Sequence, residues 1–93
     1  MEKIRVVAFD DFADIRDMYE ILINGEEDML CVNSFPDCNN VIKRIEQTLP
    51  DVVLMDIAMP GINGIEGVRL LKSKFPNLKI IMQTVFEDGD RIF

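Results

Sequence analysis

Apolar residues along the chain fall into short blocks of two kinds, compact runs and helically spaced stripes. Ile4–Phe9 is a compact run interrupted only by Arg5, and it stops abruptly at Asp10-Asp11. Short runs rich in Val, Ile and Phe predict strands. From Ala13 to Ile23 the apolar positions Ile15, Met18, Tyr19 and Leu22 recur at helical spacing, and Asn24-Gly25 suits its end, since both residues tolerate a left-handed cap. Asp11 or a neighbour is the expected cap of that helix. Met29–Val32 predicts a second short strand. Ser34-Phe35-Pro36-Asp37 predicts a turn into a helix with the stripe Val41, Ile42, Ile45 and Leu49, closed by Pro50. Asp51–Asp56 contains Val52-Val53-Leu54-Met55 with no alternation, the pattern of a strand buried on both faces. Beyond the turn of Met59-Pro60-Gly61 and Asn63-Gly64, the positions Ile65, Val68, Leu71 and Phe75 mark a third helix, which Pro76-Asn77 breaks. Ile80-Ile81-Met82 predicts a fourth strand ending at Gln83-Thr84, and Glu87-Asp88 begins one more helix.

Strand and helix therefore alternate, which predicts an α/β fold with a parallel sheet and helices on both faces. A chain of 93 residues fits a single small domain. Its 48% hydrophobic content suits a soluble globular protein. No apolar run approaches the roughly 20 residues that span a bilayer, and the start Met1-Glu2-Lys3-Ile4-Arg5 lacks a signal region. A cytoplasmic protein with no membrane contact is expected. The net charge of −7, from 17 acidic and 10 basic residues, argues against direct nucleic-acid binding by this segment. The chain has no histidine, which removes Ser-His and Cys-His nucleophile pairs. Cys31 and Cys38 match no zinc spacing and read as reduced thiols.

Three of the predicted strands end in polar residues: Asp10-Asp11, Asp56 and Thr84. Open α/β sheets bind ligands at the carboxyl ends of their strands, so these side chains converge if the strands are neighbours. Gathered carboxylates repel one another unless a cation intervenes, and Mg²⁺ is the hard, oxygen-seeking candidate. Such a site suits phosphoryl transfer to a carboxylate, with the metal neutralising the transferring group. Taken singly, Asp10 and Asp11 are better read as helix caps, and a turn aspartate is an alternative reading of Asp56.

At these residues the sequence resembles the receiver domain of two-component response regulators. The likeness is carried by Asp10-Asp11 after the first strand, by Met55-Asp56-Ile57-Ala58-Met59-Pro60-Gly61 with Asn63-Gly64, and by Gln83-Thr84 after the fourth. The resemblance implies a flavodoxin-like doubly wound sheet. It implies Asp56 as phosphoacceptor, Asp11 as direct Mg²⁺ ligand and Asp10 as a ligand through water. Ala58 would lend its backbone carbonyl to the metal, and Thr84 would be the switch hydroxyl. It further implies a sensor histidine kinase as partner and phosphodonor. The segment Thr84-Val85-Phe86-Glu87-Asp88 resembles receivers that precede a helix-turn-helix output domain, so regulation of transcription by a longer parent is expected.

The family's fifth strand, whose terminal lysine contacts the phosphoryl group, has no counterpart, and Lys72, Lys74 and Lys79 do not match that lysine. Residues 1–93 are thus expected to be one incomplete receiver domain of four strands, three helices and the start of a fourth helix, lacking the C-terminal strand and helix. The fourth strand is then an open edge, inviting a homodimer or a segment-swapped oligomer. A non-phosphorylated, receiver-like interaction module is the alternative function. A phosphohydrolase with an aspartyl nucleophile would need an acid/base aspartate where Ala58 stands. The chain is expected not to be an enzyme.

Overall fold

The computed structural model describes residues 2–59 and 61–83. Thr84, Val85, Phe86, Ile92, Phe93 and the helix start expected at Glu87-Asp88 lie outside the described residues. The elements are β1 (Ile4–Phe9), α1 (Ala13–Asn24), β2 (Met29–Phe35), α2 (Val41–Thr48), β3 (Val52–Asp56), α3 (Gly64–Lys74) and β4 (Lys79–Gln83). The four strands are parallel in the order β2-β1-β3-β4. This is the expected flavodoxin-like doubly wound sheet.

Alternation along β1 divides the core. Val7 and Phe9 join Val53, Met55, Val41, Ile45 and Leu71 on the side of α2 and α3. Val6 joins Cys31 and Ile23 on the side of α1. Cys31 and Cys38 therefore lie in different clusters, both free, and burial pushes the Cys38 thiol up to about 11. Buried thiols held protonated are chemically quiet.

Arg5, the one charge within the first apolar run, has a structural task. Its Nε donates to Leu49 O at 3.0 Å and its NH2 to Thr48 O at 2.7 Å. Those carbonyls belong to the C-terminal end of α2, where helical partners run out. Arg5 N also donates to Asp51 Oδ2 at 2.9 Å, tying β1 to the start of β3.

Several expected positions shift. β2 extends to Phe35 rather than stopping at Val32, because a register break sets Val6 opposite Cys31 but Val7 opposite Asn33. The extra residue lets pairing run on, and Asp10 N closes it on Phe35 O at 3.0 Å. In α1 the inward face is Ile15, Tyr19 and Ile23, while Met18 and Leu22 are exposed. That helix leans toward β2, so only one narrow stripe meets the sheet. In α2, Thr48 is buried and Leu49 is 68% exposed, because Leu49 caps the helix with φ of 51° and its side chain swings outward. In α3, Gly64 and Gly67 face the sheet and leave Ile65 exposed. A Cβ on Gly67 would come within 2.7 Å of Cys38 Sγ, so the glycine lets helix and core approach closely.

Leu71, on the buried face of α3, is fully enclosed. Leu71→Ala is expected to cost about 2–5 kcal/mol in urea unfolding. Leu49→Gly, at an exposed left-handed position, should change stability by less than about 1 kcal/mol. Equal losses from both would contradict this core assignment.

Candidate functional site

The crossing from β2 to β3 passes over β1, so β1 and β3 become neighbours at the topological switch of the sheet. Phe9 pairs with Met55 there, and the residues that follow, Asp10 and Asp56, emerge side by side. Asp10 is 1% and Asp56 3% exposed. Asp11 completes the group: one ligand atom from each of Asp10, Asp11 and Asp56 lies within 4.8 Å of the others.

The aspartates are not consumed as helix caps. Phe12 holds the N-cap position of α1 with extended backbone and no side-chain cap. Asp10 Oδ1 instead accepts from Phe12 N at 3.0 Å, and Arg16 NH1 donates to the Asp10 carbonyl at 2.8 Å. These contacts fix the backbone after β1 and leave the second carboxylate oxygen pointing into the pocket. Asp56 does take a turn role alongside: its Oδ1 accepts from Ala58 N at 3.3 Å. Ala58 is exposed at the mouth of the pocket.

The loop after Asp56 is pinned from two sides. Asn63 caps α3, its side chain accepting from Glu66 N at 3.0 Å. Gly64 N donates to Ile57 O at 3.0 Å. A Cβ on Gly64 would overlap the Asp56 carbonyl and sit 2.7 Å from its carbon. Only glycine lets the helix start against the backbone of the site.

Burial first, then the neighbouring Asp10 charge, pushes Asp56 up from 3.8 to about 6, with the Ala58 N–H opposing. Asp10 is also raised, chiefly by burial. Asp10 Oδ2 and Asp11 Oδ1 are enclosed and accept no hydrogen bond among the described residues. Enclosed acceptors without donors are the atoms a cation satisfies. An all-oxygen donor set fits Mg²⁺ rather than a metal that prefers sulfur or imidazole.

Two side chains that sequence reasoning missed stand at the same pocket. Tyr19, expected as an ordinary core position, is raised in pKa by burial and then by the charges of Asp10 and Asp56, with the Gln83 amide opposing. Gln83 pairs in register with Asp56 across β3 and β4. Its place beside the phosphoacceptor candidate was legible only from that register, which no local pattern contains.

The family model described as the response regulator receiver domain matches residues 6–92. The chain belongs to that family. It is 37% identical over 92 residues to an uncharacterized transcriptional regulatory protein, YxjL, of Bacillus subtilis, covering 99% of this chain and 42% of that protein. The receiver thus spans less than half the length of that curated relative. Among solved structures it resembles the response regulator domain of Thermotoga maritima CheB, with a TM-score of 0.83 and 31% identity over 96% of this chain and 66% of that one. It shares its fold with the isolated receiver domain of RcsB from Salmonella enterica serovar Typhimurium, solved with the phosphomimetic BeF3⁻ (TM-score 0.81, 24% identity, 94% of this chain and 65% of that one). No helix among the described residues is long and apolar enough to cross a membrane.

The raised Asp56 has a stability consequence with a definite sign. The folded receiver holds this proton more tightly than the unfolded chain, so stability falls as pH rises from 3.8 to about 6. Above that window the full cost, about 1–3 kcal/mol, is in place. In metal-free buffer, Asp56→Asn should raise the urea midpoint at about pH 8, with the gain shrinking toward about pH 4. A gain that grows on acidification would contradict the assignment.

Proposed function

We propose that Asp56 is the phosphoacceptor of a two-component signalling switch. Asp10, Asp11, Asp56 and the Ala58 carbonyl would hold Mg²⁺, and a sensor histidine kinase would be the phosphodonor. The supporting observation is the cluster of Asp10, Asp11 and Asp56, with two enclosed oxygens lacking donors, at the carboxyl ends of β1 and β3. Mg²⁺, when bound, neutralises charge on the transferring group. Asp56 is ionised at neutral pH, since its pKa reaches only about 6 even without a cation. Its carboxylate oxygen forms the new P–O bond as the P–N bond of a phosphohistidine breaks, and the imidazole leaves with the electron pair. The resulting acyl phosphate is a covalent form known for aspartate. Thr84, the expected switch hydroxyl, follows directly on Gln83 and lies outside the described residues.

This role makes the receiver the target of a kinase rather than an enzyme. Ala58 stands where an aspartyl phosphohydrolase would need its acid/base group. Regulation of transcription is proposed for the longer parent, supported by the name of the Bacillus subtilis relative. Incubation with a small acyl-phosphate donor and Mg²⁺ should give one phosphoryl adduct by intact mass. Asp56→Asn should abolish it, and so should a chelator. An adduct that persists in Asp56→Asn would overturn the reading.

A second partner is supported by β4, an edge strand of the described sheet, where Ile81 is 56% and Met82 38% exposed. Exposed apolar edges recruit other strands. We infer self-association through this edge, as a homodimer or a segment-swapped oligomer. Sedimentation should show a concentration-dependent dimer that Ile81→Lys weakens severalfold. A monomer at high concentration would refute it.

A further inference from the structure

We propose that Gln83 is a phosphoryl-contacting residue, its carboxamide Nε2 donating a hydrogen bond to the anion carried on Asp56. The inference rests on the reading of Asp56 as phosphoacceptor and adds a donor to that site. Three observations converge on it. Asp56 and Gln83 are paired residues of adjacent parallel strands, so their side chains leave the sheet on the same face. Ile57 N donates to Gln83 O at 3.1 Å, fixing the two strand ends together just at the pocket. Gln83 Nε2 is fully enclosed yet has no acceptor among the described residues.

A buried amide donor left unpaired is destabilising, and natural folds seldom keep one without use. Among the described residues the other enclosed, unpartnered side-chain atoms are acceptors, Asp10 Oδ2 and Asp11 Oδ1. The pocket therefore offers both halves of a site for a metal-bound anion. Carboxylate oxygens face the cation, and an amide N–H₂ faces the anion's remaining oxygens. Tyr19 supplies the wall on the α1 side, lying next to both the carboxylates and the Gln83 amide. A glutamine here gives a phosphoryl oxygen a neutral donor that does not compete for the carboxylates.

Tyr19 is the chain's single tyrosine and there is no tryptophan, so tyrosine fluorescence reports on the pocket directly. Mg²⁺ alone is titrated first, then beryllofluoride with Mg²⁺ present, using the whole chain. Gln83→Met keeps the side chain's length and removes the donor. It should leave Mg²⁺ affinity within about twofold and weaken beryllofluoride about tenfold, the effect of one hydrogen bond to a charged group. Gln83→Glu should weaken beryllofluoride further. Unchanged beryllofluoride binding in Gln83→Met overturns the proposal, as does an equal loss of Mg²⁺ and beryllofluoride, which marks a merely structural role. If the wild-type chain takes up no beryllofluoride, the Asp56 reading and this one fall together. Uptake by wild type that Asp56→Asn abolishes and Gln83→Met leaves intact sinks this one alone.

Discussion

Desolvation of clustered carboxylates, sharpened by their mutual repulsion, is the constraint around which this receiver is arranged. Asp10, Asp11 and Asp56 bring their ligand atoms within 4.8 Å, and Asp10 and Asp56 are almost wholly enclosed. Burial and neighbouring charge both raise proton affinity, and Asp56, desolvated first and repelled by Asp10 second, rises to about 6. A protein tolerates such a cluster only if the scaffold over-determines it. The scaffold here is a parallel sheet whose central strands cannot slide without exposing Val7, Phe9, Val53 and Met55.

The loops serve the same end. Asp10 spends one oxygen on Phe12 N and Asp56 spends one on Ala58 N, so each carboxylate is oriented by its own turn while its other oxygen is kept for the pocket. Gly64 sets α3 against the Asp56 carbonyl, and Asn63 caps that helix instead of closing a free loop. Stability at the helix start and geometry at the phosphoacceptor candidate are thus one requirement. Any side chain at position 64 must displace either the helix or the backbone of Asp56. Arg5 does the corresponding work at the opposite end of the sheet, holding the last turn of α2 by Thr48 O and Leu49 O.

The order of elements was readable from the chain because parallel-sheet strands are short continuous apolar runs and helices carry a 3.6-residue stripe. Asp10, Asp11 and Asp56 were readable as a group because strand ends in such folds converge. What escaped notice depends on relations between elements. The extension of β2 to Phe35 follows from a register break against β1, which β2's own sequence does not encode. The stripe of α1 includes Ile23 and omits Met18 and Leu22, because the helix leans toward β2. Ile65 reads as core by spacing, but Gly64 and Gly67 take the sheet-facing positions and turn it outward. Gln83 is the same case at the site, since its relevance comes from pairing with Asp56.

That pairing bears on how an acidic pocket can stay open to a cation and still grip an anion. A lysine within reach would pair with Asp10 or Asp11 in the resting state, and Mg²⁺ would have to displace it. Lys72, in the last turn of α3, is occupied elsewhere: its Nζ donates to the Leu78 carbonyl, closing the turn into β4. An amide donor carries no charge, so it neither neutralises the carboxylates in advance nor opposes the metal. It can still grip an anion, because hydrogen bonds to ionised groups are roughly twice as strong as neutral ones. A neutral donor at position 83 therefore leaves the carboxylates their charge for the cation and still offers the anion a hydrogen bond.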